Sequence, residues 1–180
     1  MIIQDRFEEN ILTSRCSLRR LDDLDDAEAI VNLASHPLVS RFMRGTFPET
    51  HLLAHQWFYA LNRVPVKKRG LVRAIADRDT EQLMGVVTLV PRPRQRVIEL
   101  GYWLGYQFWG RGLATEVVAQ ALRVGSMQAG YHQFLAEVVA SHASSIRVLD
   151  KNGFKLESRE CNVELKPGLI APVYCYGLRL

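Results

Sequence analysis

Residues 98–116 read Ile98-Glu99-Leu100-Gly101-Tyr102-Trp103-Leu104-Gly105-Tyr106-Gln107-Phe108-Trp109-Gly110-Arg111-Gly112-Leu113-Ala114-Thr115-Glu116. The first part is a strand, Val97–Leu104, and a helix is expected from roughly Arg111 to Ala129. Between them, two glycines flank an arginine. The first N–H groups of a helix lack intrahelical partners and carry the positive end of its dipole, so a slim turn placed there suits a pyrophosphate. Gly110 and Gly112 make the turn slim and permit positive φ, and Arg111 adds a cation. The bland alternative is an ordinary glycine-bearing strand-to-helix turn. Neither Gly-x-Gly-x-x-Gly nor Gly-Lys-[Ser/Thr] occurs, so neither a dinucleotide nor a nucleoside triphosphate is indicated.

Outward from this segment, Leu71–Ala76 and Leu83–Val90 read as strands that form an antiparallel meander with Val97–Leu104. Upstream, Arg15 to Leu21 reads as a strand. Asp22-Asp23 then offers a cap for a helix through Ala27, Ile30, Val31 and Ala34 that ends before Pro37. A second helix is expected from about Pro48 to Leu61. Downstream come a strand Phe134–Val139, a helix from about Ala143 to Lys151, and strands Phe154–Glu164 and Val173–Leu180. The expected fold is α+β, a three-layer α/β sandwich. Its sheet is mixed and mostly antiparallel, with about seven strands flanked by about four helices.

The 180 residues lack repeats or a linker-like break and read as one domain, 1–180. Hydrophobic residues at 48% and charged residues at 23% describe an ordinary globular chain. No apolar stretch approaches the roughly 20 residues of a membrane span, and the start lacks a signal-peptide pattern, so a cytoplasmic protein is expected. Cys16, Cys161 and Cys175 are too few and too scattered for a disulfide framework or a zinc cage. The net charge of +4 suits an anionic ligand without selecting one.

The string Glu99–Leu104, followed by Gln107-x-x-Gly110-x-Gly112-x-Ala114-Thr115-Glu116, resembles the acetyl-CoA motif of the GNAT superfamily of N-acetyltransferases. Ser145-Ile146-Arg147-Val148-Leu149-Asp150-Lys151-Asn152-Gly153-Phe154 is similar to its second motif. Within the superfamily the combination most resembles the RimJ/RimL branch, which includes acetyltransferases of ribosomal protein N-termini. The resemblance implies direct attack of an amine on acetyl-CoA in one ternary complex, with a protein or peptide N-terminal amine as acceptor. It implies cofactor contacts from Leu104, Gln107, Trp109, Gly110, Arg111, Gly112, Leu113, Ala114, Thr115, His142 and Ser145. A small-amine or antibiotic acetyltransferase is the alternative enzyme, and a catalytically silent acyl-CoA-binding regulator the alternative from another class.

In that family pantetheine pairs with a splayed strand edge helped by a bulge. Gly101 is consistent with such a bulge or with close packing, and N–H groups near Leu104 would be the oxyanion donors. Ser145 stands where RimL-type enzymes place a hydroxyl near the sulfur, and His142 replaces an asparagine. Ser145 could instead make a local backbone bond, and His142 could be a surface helix cap. The resemblance offers two carboxylates as the base: Glu164, preferred because its spacing from Phe154 and Gly168 resembles that of a glutamate in RimL-type enzymes, and Glu99 on the strand where other superfamily branches carry theirs. Either could be an exposed strand residue. The aspartate that relatives often carry near the last strand is absent from Ile170-Ala171-Pro172-Val173-Tyr174, so an acid for recognising a cationic amine is missing there.

His51 and His55 have i, i+4 spacing but neither a following glutamate nor a third ligand, so no metal site is expected. Lys67-Lys68-Arg69 and Arg92–Arg96 lack aromatic interleaving and read as solvated turns, without direct nucleic-acid binding. Trp57 is placed on the second helix, which usually walls the acceptor pocket in this family. A monomer or a homodimer is expected.

Overall fold

The computed structural model describes residues 10–21, 25–43, 50, 52–54, 56, 70–92, 97–129 and 131–180. Asp22-Asp23, His51, His55, Trp57, Lys67-Lys68-Arg69 and most of the expected second helix lie outside these residues.

The elements are β1 (Ile11–Leu12), β2 (Cys16–Arg19), α1 (Asp25–Ala34), α2 (Pro37–Ser40), β3 (Leu71–Asp77), β4 (Leu83–Arg92) and β5 (Val97–Leu104). A 3-10 turn at Tyr106–Phe108 leads to α3 (Leu113–Ala129), β6 (Gln133–Val139), α4 (Ala143–Lys151), β7 (Lys155–Lys166) and β8 (Leu169–Arg179). The strands form one sheet in the order β1-β2-β3-β4-β5-β6-β8-β7. All neighbours are antiparallel except β5 and β6, which α3 joins as a parallel pair. The mixed sheet with flanking helices is the expected fold class. Among the described residues it has eight strands, one more than expected, because Ile11–Leu12 pairs with Ser17-Leu18 over only two residues.

Partners directly opposite on paired strands share a face, and faces alternate along each strand. Gly125 brings α3 against Leu89 and Phe134, where an added Cβ would lie 3.1 Å from each side chain. Leu89 pairs with Leu100, so Leu100, Tyr102 and Leu104 share the α3 face. Glu99, Gly101 and Trp103 take the other face, where Trp103 packs on Ala34, Val39 and Met43 of the α1–α2 region. The Arg19 guanidinium holds α1 to β2 through two 2.8 Å bonds to buried Asp26.

As expected, α1 ends before Pro37; Pro37 itself opens α2, with His36 Nδ1 accepting the Leu38 N–H at 3.3 Å, because proline suits the first helical position. One local expectation needs correction. Gly101 does not bulge against β4, since that register runs unbroken from Gly85↔Leu104 to Arg92↔Val97. Its lack of a side chain instead admits Thr88 Oγ1, 2.7 Å from the position a Cβ would take.

Candidate active site

Strands β5 and β6 pair only at Ile98↔Phe134 and Glu99↔Leu135. Beyond that point they diverge, and a cleft of about 600 Å³ opens between them. The direction of the β5 backbone follows from its other edge. Gly105 N–H donates to the Met84 carbonyl at 2.9 Å, continuing the β4 register, so in an antiparallel ladder the N–H groups of Tyr102 and Leu104 face the gap. The Leu104 carbonyl faces it too and accepts the Trp109 indole N–H at 2.7 Å.

One end of the cleft is the glycine turn. Gly110 and Gly112 have φ of +76° and +78°, values that L side chains rarely adopt. A Cβ on Gly110 would meet nothing within 4 Å, and one on Gly112 only the Arg15 guanidinium at 3.6 Å. The turn is thus open in front and fits an extended anionic ligand at the α3 N-terminus. Gly110, Gly112, Leu113, Ala114, Thr115 and Trp109 line the cleft. Gln107 and Arg111 are exposed and outside the lining; the Arg111 guanidinium lies 6.0 Å from the centre of the Phe108 ring.

The turn is fixed from behind by residues that carried no such signal in the sequence. The Arg15 guanidinium donates to the Arg111 carbonyl at 2.8 Å and pairs with Glu116 at 2.8 Å, while the Arg15 and Ser14 N–H and O–H groups also donate to Glu116. Burial opposes the Glu116 charge, but hydrogen bonds from Thr13, Arg15 and Ser14 outweigh it and hold the carboxyl down at about 2. A carboxyl lowered on folding stabilises the fold above its unfolded value and loses that contribution as pH falls toward its folded one. Wild type should therefore lose stability between about pH 4.5 and 2 more steeply than Glu116→Gln, as acid titration of melting temperature would measure.

The opposite wall is α4. Ser145 Oγ lies 2.9 Å from the Tyr102 hydroxyl. Asn152 ties α4 to the turn, its amide donating to the carbonyls of Val148 at 2.8 Å and Thr115 at 3.3 Å. His142 is the residue before α4 but makes no side-chain cap. Its ring instead stacks on Phe42, with centroids 3.8 Å apart and planes 2° from parallel, and lies 5.9 Å from Trp109. Burial, and then the charge of Arg41, push the imidazole down to about 4. His142 is therefore neutral at pH 7, and its NMR shifts should stay flat from about pH 5.5 to 9. Because its folded value is below the unfolded one, its effect on stability should weaken as pH falls from about 6.5 to 4.

The two candidate bases are placed differently. Glu99 lines the cleft on the α1/α2 face and is ion-paired with Arg92. Glu164 is exposed, lies outside the lining, and accepts the Gly168 N–H at 3.2 Å across the β7–β8 turn; its neighbour Leu165 is the residue that faces the cleft. Sequence reading gave no weight to Glu137, which lines the cleft on the same face as Glu99. Among the described residues no cluster of metal-ligating side chains occurs, and no helix is long and apolar enough to cross a membrane. Cys16 and Cys175 are buried thiols.

A parallel strand pair split over a cleft, with an open glycine turn at the adjoining helix N-terminus, is the architecture of an acyltransferase that takes an extended CoA thioester. Residues 15–155 match the acetyltransferase (GNAT) domain family, and the chain belongs to that family of N-acetyltransferases, whose acyl donor is acetyl-CoA. It is 26% identical to the uncharacterized N-acetyltransferase p20 of Bacillus licheniformis, over 94% of this chain and 96% of the relative. It is 30% identical to the uncharacterized N-acetyltransferase YoaA of Bacillus subtilis, over 81% of this chain and 82% of the relative. The fold matches RimL, a ribosomal L7/L12 alpha-N-protein acetyltransferase solved with coenzyme A, with a TM-score of 0.80 at 18% identity, covering 96% of this chain and 98% of that one. It also matches the microcin C7 self-immunity acetyltransferase MccE, solved with acetyl-CoA and AMP, with a TM-score of 0.79 at 16% identity, covering 93% of each chain.

Proposed function

We propose that the chain acetylates a primary amine at a protein or peptide N-terminus, by direct attack on acetyl-CoA in a ternary complex. The carrying observation is that the gap between β5 and β6 joins two chemically distinct faces. On the α3/α4 face lie the glycine turn and Ser145, while the N–H groups of Tyr102 and Leu104 point into the gap itself. On the α1/α2 face lie the carboxylates Glu99 and Glu137. Such carboxylates favour a cationic amine and supply from β5 and β6 the acid that the last strand lacks.

Acetyl-CoA supplies the activated acyl group. Gly110, Gly112 and the α3 N-terminus hold its pyrophosphate. Leu113, Ala114, Thr115, Trp109 and His142 line its path. The N–H of Leu104 meets negative charge developing on the carbonyl oxygen, a fixed dipole that needs no reorganisation. Ser145 faces the departing sulfur, and Glu99 takes the amine proton directly or through one water. Gln107 and Arg111 serve from the rim.

The test is a panel of peptides with different N-terminal residues, set against small amines, followed by thiol release from acetyl-CoA and by product mass. Acetylation at the α-amine of one or a few peptides is expected. Turnover confined to small amines would move the assignment to the antibiotic-immunity class that MccE represents.

A further inference from the structure

A serine hydroxyl rotates freely and has one proton to donate, so Ser145 serves a sulfur only if something fixes that proton's direction. Tyr102 is placed to do so. It projects from β5 on the α3/α4 face, and its hydroxyl lies 2.9 Å from Ser145 Oγ and 3.2 Å from the Ser145 carbonyl oxygen. Both residues line the cleft. Two arrangements share these distances. If Tyr102 donates to Ser145 Oγ, the Ser145 proton is left for the cleft. If Tyr102 donates to the carbonyl, Ser145 can turn its proton onto the Tyr102 oxygen.

We propose that Tyr102 is the positioning residue of the thiol subsite, donating to Ser145 Oγ so that the Ser145 O–H points at the CoA sulfur. The inference rests on the acetyl-transfer reading above. The interaction is hydrogen bonding without proton transfer: Ser145 and Tyr102 each keep their proton, and the thiolate leaves stabilised by a donor. Burial pushes the Tyr102 phenol up to about 12. A thiol near the reference value of about 8.5 is more acidic than that phenol by roughly three-thousandfold, so a thiolate would not draw a proton along this pair. Ser145 thereby serves the sulfur as a hydrogen-bond donor that keeps its proton.

The test needs no acceptor. CoA is bound to wild type, Tyr102→Phe, Ser145→Ala and the double variant, and the thiol pKa of bound CoA is read from its ultraviolet thiolate absorbance across pH. Arg147 and Lys151 also line the cleft and act alike in all four proteins, so the cycle removes their contribution. Wild type should hold the bound thiol below the reference of about 8.5. Ser145→Ala should raise it by about one unit, a tenfold loss of thiolate at a given pH, and Tyr102→Phe by about half as much. The double variant should match Ser145→Ala. An unshifted thiol in Tyr102→Phe, or effects of the two variants that add, would overturn the proposal. So would an unshifted thiol in Ser145→Ala, which decides the matter even if Tyr102→Phe does not fold. Failure of the peptide panel with these shifts intact would overturn the acceptor reading alone, and failure of wild type to bind CoA would overturn both.

Discussion

Gly112→Val should nearly abolish the stabilisation that CoA confers on this fold. A ligand that binds only the native state raises stability by about 2.7 kcal/mol at a hundred times its Kd. In a domain of this size that corresponds to a melting shift of roughly 5–11 °C. Gly112 has φ +78°, and valine is among the residues least able to hold it. A backbone that relaxes there turns the N–H groups of the α3 N-terminus away from the pyrophosphate, and the valine methyls crowd Arg15, whose bonds to the Arg111 carbonyl and Glu116 fix the turn. A hundredfold weaker Kd would cut the stabilisation at the same CoA concentration to about 0.4 kcal/mol, a shift near 1 °C. The strain itself lowers the apo melting point, so the comparison is the CoA-induced shift in each protein. Gly110→Ala is the graded control: φ there is +76°, but its Cβ has nothing within 4 Å, so a smaller loss is expected. Equal shifts in wild type and a folded Gly112→Val protein would remove the turn from the cofactor site.

The strand, glycine turn and helix at residues 97–129 were legible because they are local: apolar strand residues, two glycines that take positive φ, and a helix beginning behind them. Contacts distant along the chain were not legible. Ser145 and Tyr102 are 43 residues apart, and Arg15 and Glu116 are 101 apart, so neither pairing has a local pattern. The orientation of Glu164 was not legible for a different reason. Counting from Phe154 assumes that side chains alternate regularly along β7, but the β7–β8 register shifts at Leu156/Ser158, Glu160/Val163 and Glu164/Lys166. Each irregularity resets which residues share a face, so spacing alone cannot say that Glu164 looks at solvent while Leu165 faces the cleft. The unbroken β5 register made Glu99 readable. Glu137 has no local pattern that marks it, since a glutamate on a strand is usually solvated, and the divergence of β5 and β6 gives it a cleft to line.

Glu99→Gln should lower turnover about a hundredfold near neutral pH, whereas Glu164→Gln should stay within about twofold of wild type, because a positioned general base contributes on the order of 10²–10⁴. An α-amine has a pKa of about 7.7–8.0, so near pH 7 most acceptor is protonated and must lose a proton before it attacks. Above about pH 8 the amine deprotonates without help, and the Glu99→Gln deficit should shrink as pH rises. That convergence separates loss of a base from loss of binding, which would leave a constant deficit. Glutamine keeps the size of Glu99 and an oxygen that accepts from Arg92, so the β4–β5 pair should remain intact. Glutamine at 164 likewise keeps a carbonyl for the Gly168 N–H, so neither variant should change the melting point by much. Thiol release with an acceptor peptide from pH 6 to 9 measures both profiles. A flat, wild-type-like profile for Glu99→Gln together with a neutral-pH deficit for Glu164→Gln would return the role to Glu164, and would require the β7–β8 turn to rearrange when the acceptor binds. Deficits in neither would shift attention to Glu137, the other carboxylate on the acceptor side of the cleft.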